Sequence, residues 1–164
     1  MYKFAFDSDA LIKLAKAGVL EDICRNYSCS ITNEVKNESV NEGKKRLHED
    51  ALKIEDFINK GLLKVIDLKI SKQIKENLGK GEISVLRLYF QEKNSIVVTD
   101  DSAFIKHMNE DGIRFAVPAD IIFLMKTENK LDRKTSLSYL DKIKEFIKEE
   151  VYNEVKQDIT EDSR

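Results

Sequence analysis

Five short apolar runs, near residues 3–6, 28–31, 63–67, 95–99 and 114–117, are separated by longer segments in which apolar residues recur at helical spacing. That alternation is the strongest constraint on the fold. A strand that is followed by a helix returns most readily to a parallel neighbour, so the pattern predicts an α/β chain. The expected architecture is three layers, α/β/α, around a central and mainly parallel sheet of about five strands. The opening stretch FAFDSDALIKL shows the repeating unit. Phe4, Ala5 and Phe6 read as a buried strand that ends at Asp7, Ser8 is placed to cap the next segment, and Leu11, Ile12 and Leu14 begin a helical stripe.

Between the strands the spacing predicts a helix to Gly18, a short one over 19–26, and one capped by Thr32 or Asn33 that holds Glu34, Val35 and Glu38. Leu47, Ala51, Ile54 and Ile58 predict a single helix from Lys44 to Lys60, closed by Gly61. Gly79 and Gly81 flank Lys80 ahead of a helix with Ile83, Leu86 and Phe90 on its stripe. Pro118 suits the first turn of a helix with Ile122 and Met125. From about Lys134 one long final helix is expected, carrying Leu140, Ile143, Ile147, Val151 and Val155 on one face, with the tail DITEDSR frayed. No repeat or Pro/Gly-rich linker divides the chain. The expected division is residues 1–128 as the α/β unit and 129–164 as an amphipathic helix packed on it or extending it.

Composition narrows the class. The 164 residues, 41% hydrophobic and 35% charged, suffice to bury about two thirds of the unfolded surface. No apolar run approaches the roughly 20 residues of a membrane span, and the first residues lack the basic-then-apolar order of a leader, so a cytoplasmic location is expected. A net charge of −2 argues against an indiscriminate nucleic-acid coat but leaves room for an acid-rich site. Lys44, Lys45 and Arg46 read first as a solvated helix start. Cys24 and Cys29 have neither CxxC spacing nor histidine partners, which predicts buried free thiols.

The acids carry the chemistry. Asp7 and the pair Asp100, Asp101 follow apolar strands, while Glu38 and Glu82 fall about one turn into helices that begin at the same edge. Singly, each has a plain structural explanation as a cap, a solvated face or a partner of a helix dipole. Gathered at one sheet edge they repel unless a cation is bound, and carboxylates without His or Cys select the hard ions Mg²⁺ or Mn²⁺.

Four stretches in order resemble the PIN-domain ribonucleases, the family of the VapC-type toxins, across residues 1–125. DSDALIKLAKAGVL, Asp7 to Leu20, is similar to an opening of the form DxxxLIxLxKxGxL. ITNEVKNE resembles the strand-then-VxxE segment, LGKGEISVL the GE-containing helix start, and IVVTDDSAF the strand ending in TxD. The resemblance implies catalytic and metal-binding roles for Asp7, Glu38, Glu82 and Asp101, with Glu34 as fallback for the second acid and Asp100 as alternative for the fourth. It implies hydrolysis of phosphodiester bonds in single-stranded RNA with one or two Mg²⁺ or Mn²⁺ ions, and Ser8 or Thr99 steadying the ligands. It also implies a small antitoxin protein and a homodimer as partners. Asp9 and Thr32 depart from the family pattern, which more often has a neutral residue and a proline at those places.

Two other classes fit part of the pattern. FDSDA resembles the DxD opening of haloacid-dehalogenase-like phosphatases, with Thr32 and Lys80 pressed into the remaining roles, but that reading leaves Glu38 and Glu82 without purpose. A non-catalytic PIN-like binding module would keep the fold and lose the chemistry. His107, two helical turns past the last acids, reads as a helix-surface residue.

Overall fold

In the computed structural model, which describes residues 1–74 and 77–161, five strands occupy the predicted positions. They are β1 (Lys3–Phe6), β2 (Ser28–Thr32), β3 (Leu63–Ile66), β4 (Ser95–Val98) and β5 (Phe115–Ala116), in the order β3-β2-β1-β4-β5 and all parallel. Central β1 pairs with β2 through Phe4 and Cys29 and with β4 through Phe4 and Ile96. Phe4, Ala5 and Phe6 are buried, as a strand covered on both faces requires.

The connecting helices are α1 (Ser8–Ala17), α2 (Leu20–Asn26), α3 (Asn33–Lys36), α4 (Glu42–Lys45), α5 (Glu49–Asn59), α6 (Lys80–Gln91), α7 (Ser102–Glu110), α8 (Pro118–Thr127), α9 (Arg133–Ile143) and α10 (Glu149–Glu161). A π-helical turn, Asn37–Asn41, joins α3 to α4. Gly18 ends α1 at φ 77°, where a side chain would be strained, and its N–H closes on Ala15 and Leu14 carbonyls. Among the described residues no helix is long and apolar enough to cross a membrane.

Several expectations are corrected. The helix predicted over 44–60 is broken: α4 stops at Lys45, Leu47 takes φ 59° and is 91% exposed, and α5 begins at Glu49. The cause is a tight corner. His48 N–H bonds back to Gly43 O at 2.9 Å, and Gly43 lies so near α5 that a Cβ on it would stand 2.8 Å from Ala51 Cβ. Turning there brings Ala51, Ile54 and Phe57 into the core and leaves Leu47 outside.

The final helix is likewise two. After α9 a 3₁₀ turn, Lys144–Phe146, and extended Ile147 redirect the chain, and α10 packs back on α8 and α9. One helix across 134–161 would run about 40 Å and leave the domain, whereas the break lets Tyr152, Val155 and Ile159 bury. The predicted fraying is therefore not found through Glu161, since Ile159 is fully buried. Residues 162–164 of that tail lie outside the described residues. On α6 the burial is carried by Val85, Leu86 and Leu88, while Phe90 stays exposed with Lys72 Nζ 3.5 Å from its ring centroid.

Cys24 and Cys29 are buried free thiols, as expected. A hydrogen bond with Cys24, then burial, push the Cys29 thiol far up, so its reactive thiolate is suppressed.

Candidate active site at the sheet edge

From β1 the chain passes to β2 on one side and β4 lies on the other, so a crevice opens beyond the C-terminal ends of β1 and β4. In open α/β sheets that is the ligand-binding position. Asp7 occupies it: its N–H extends the ladder to Val98 O at 3.1 Å, and its Oδ1 accepts the Ala10 N–H at 2.8 Å as the cap of α1. The residue is only 7% exposed. Burial pushes the carboxyl up to about 7, reinforced by the negative charges of Asp9 and Asp100 and opposed by hydrogen bonds from the Thr99 hydroxyl and the Ala10 N–H.

Asp101 caps α7 in the same way, its Oδ1 accepting the Phe104 N–H at 2.8 Å. Thr99, fully buried, ties the two acids together. Its hydroxyl bonds to Asp7 and accepts the Asp101 N–H at 3.2 Å.

Glu38 arrives on the π-helical turn, whose wider winding sits inside an otherwise α-helical path. Its Oε2 accepts the Ser8 hydroxyl at 2.6 Å. Its carboxylate lies directly over Gly81, where a Cβ would come within 2.7 and 2.9 Å of the two oxygens. Glu82 stands one residue on, in the first turn of α6, and its Oε2 accepts the Gly79 N–H at 3.0 Å. Asp7, Glu38, Glu82 and Asp101 thus line one cleft of ≈ 300 Å³, with Lys80 at its side.

The other candidates stand apart. Asp100 points its carboxylate to Lys13 Nζ at 2.7 Å and is not among the groups lining the cleft. Lys13 also holds Asp9, which lines the cleft, at 2.8 Å, so one ammonium is shared between two carboxylates. Glu34, the fallback for Glu38, lines a neighbouring cavity instead. Thr32 is buried as the cap of α3 and shares a 2.7 Å hydrogen bond with Ser84, which leaves it no nucleophile-holding role. Lys44 and Lys45 are engaged by Glu55 and Glu42, in keeping with a solvated helix start. His107 faces Asp111 at 3.4 Å along α7, away from the acids.

The donor set is carboxylate only, which suits a hard divalent ion. Among the described residues no three His, Cys, Asp or Glu side chains are close enough to enclose one. Asp7, Glu38, Glu82 and Asp101 each instead spend one oxygen on an N–H or O–H donor.

Sequence reasoning missed two contributors. Lys13 had a local signal in its i,i+4 spacing from Asp9, but its bond to Asp100 crosses 87 residues. Gly81 was read as a flank of Lys80, whereas its lack of a side chain is what admits Glu38.

A family model described as PIN domain matches residues 3–161. Among solved structures, the chain is similar to a PilT N-terminus domain protein from the hyperthermophilic archaeon Sulfolobus solfataricus P2. The TM-score is 0.50 at 17% identity, over 79% of this chain and 94% of that one. A likeness at that identity speaks to the fold alone. No curated protein matches the chain.

Proposed function

The chain belongs to the PIN-domain family, and on that premise we propose that it is a metal-dependent endoribonuclease that hydrolyses phosphodiester bonds in single-stranded RNA. PIN domains are generally nucleases that use divalent metals. The observation that carries the reading is the convergence of Asp7, Glu38, Glu82 and Asp101, from four separate places in the chain, on one cleft at the switch point of the sheet. The same membership leaves the phosphatase reading without support.

Asp7 is the central ligand in this reading. Its buried carboxyl resists ionisation alone, so a bound cation is what makes the carboxylate favourable there. Mg²⁺ or Mn²⁺, when bound, supplies polarisation of the scissile phosphate and a water of lowered pKa. Thr99 fixes the spacing of Asp7 and Asp101, and Ser8 orients Glu38. Lys80 offers the phosphate a positive charge at the rim of the acids. Lys13 pairs with Asp100 outside the cleft, which favours Asp101 as the fourth ligand.

Purified protein incubated with labelled single-stranded RNA tests the proposal. Cleavage is expected with Mn²⁺ or Mg²⁺ and not in EDTA. Undiminished cleavage in EDTA would remove the metal, and hydrolysis of a small phosphomonoester through a trapped phospho-aspartate would restore the phosphatase. The reading extends to the toxin of a toxin–antitoxin pair, with a small antitoxin protein and a second copy of the chain as partners. Growth arrest on expression, absent for Asp7→Asn, is its check.

A further inference from the structure

A second cavity, ≈ 550 Å³, opens at the same sheet edge and shares Lys80 with the acid cleft. Lys80, Ile83 and Arg87 recur at helical spacing along α6 and line it. Asn33 and Glu34 contribute from the first turn of α3, and Asp67 and Leu68 from just beyond β3. Ile83 directly follows Glu82, so less than one turn of α6 separates this cavity from the acids.

The lining has the two halves that a flat heterocycle on a phosphate chain needs. Ile83, Leu68 and the planar guanidinium of Arg87 offer surface for a ring, and Arg87 is steadied by its Nε donating to Lys72 O at 3.3 Å. Arg87 and Lys80 also supply positive charge for flanking phosphates. The edge groups are mainly acceptors: the carboxylates of Glu34 and Asp67, and the oxygen of Asn33, whose Nδ2 is engaged by Asp67 Oδ1 at 2.7 Å. Acceptors select a base edge rich in donors. Guanine presents adjacent N1–H and N2–H groups that one carboxylate can take together, whereas uracil sets two carbonyls around a single N–H and would oppose oxygen to oxygen.

We propose that this cavity is a base subsite for the single-stranded RNA cut in the acid cleft, and that it reads guanine. The assignment rests on the ribonuclease reading of the cleft. It gives Glu34 a role as specificity residue rather than metal ligand, and makes Lys80 the bridge between the base and the scissile phosphate.

Fluorescence anisotropy in EDTA tests it without hydrolysis, using a labelled short oligouridine and the same oligomer with one central guanosine. The full-length wild type is expected to bind the guanosine oligomer about tenfold more tightly. Glu34→Gln should remove that preference, and Arg87→Ala should weaken both oligomers, with melting temperatures showing that both variants fold. Equal affinity of the wild type for the two oligomers, or wild-type behaviour of both variants, would overturn the proposal. Binding of guanosine monophosphate as tight as that of the guanosine oligomer would overturn a strand subsite in favour of a free-nucleotide site. Guanosine preference in EDTA without any Mn²⁺-dependent cleavage would sink the ribonuclease reading and leave the guanine-binding site standing; cleavage without preference would do the reverse.

Discussion

The carboxylate of Glu38 occupies the space that a Cβ on Gly81 would need, 2.7 and 2.9 Å from its two oxygens. The contact joins the π-helical turn to the start of α6 and seats Glu38 beside Glu82 in the cleft. Because the crowded atoms are the far end of a flexible side chain, Gly81→Ala should expel Glu38 and spare the fold. The expected result is a loss of RNA cleavage of roughly 10–100-fold with a change in stability within about 1 kcal/mol, alanine's helix propensity offsetting the contact. Cleavage assays beside a thermal melt check it, and wild-type activity in Gly81→Ala would show that Glu38 takes no part.

The difference in burial between Asp7 and Asp9 predicts a difference in rate. Asp7→Asn should lower cleavage on the order of 10²–10³-fold at ~1.4 kcal/mol per tenfold, while Asp9→Asn, an acid already paired to Lys13, costs far less. Steady-state kinetics on the two variants decide the matter. An essential Asp9 with a dispensable Asp7 would move the metal centre.

The Asp7 carboxyl also makes stability depend on pH. It titrates from the ordinary 3.8 when unfolded and from about 7 when folded. A folded state that holds the proton more tightly gains stability that is complete below pH 3.8 and lost as pH rises through about 7. Metal-free wild type should therefore fall in melting temperature relative to Asp7→Asn between pH 4 and pH 8. Mn²⁺ should reverse the trend, stabilising wild type more at pH 8 than at pH 5 because it binds the carboxylate, and shifting Asp7→Asn little. Parallel melting curves for the two proteins across this range would show that Asp7 is not the titrating group.

Lys13 holds two acids with one ammonium, and its removal leaves them facing each other. Lys13→Met should destabilise the protein by roughly 1–2 kcal/mol, a partly buried pair lying between surface and core values. Adding Asp100→Asn should return most of that loss. Urea unfolding of the two single variants and the double variant gives the coupling directly, and additive losses would mean that the pair contributes nothing of its own.

What the amino-acid sequence determined by itself was the part written in local patterns. Strands buried on both faces appear as unbroken apolar runs, so Phe4–Phe6 and Ile96–Val98 were legible as strands. A carboxylate following such a run then has its place at the sheet edge set by the chain alone, as Asp7 has. Helix breaks inside a continuous apolar stripe carry no such mark. Leu47 keeps the spacing of Ala51 and Ile54, and only the approach of Gly43 to Ala51 in the folded molecule turns the chain there and puts Leu47 into solvent. Ile147 is the same case, its stripe uninterrupted although burial of Tyr152 and Ile159 against the domain requires a reversal. Which of Asp100 and Asp101 lines the cleft was decided by tertiary structure for a related reason. The two differ by one position and share a neighbourhood in sequence, and what separates them is an ammonium from Lys13 on another helix. Periodicity records which residues face inward, but which charge meets which depends on distances that exist only once the helices are packed.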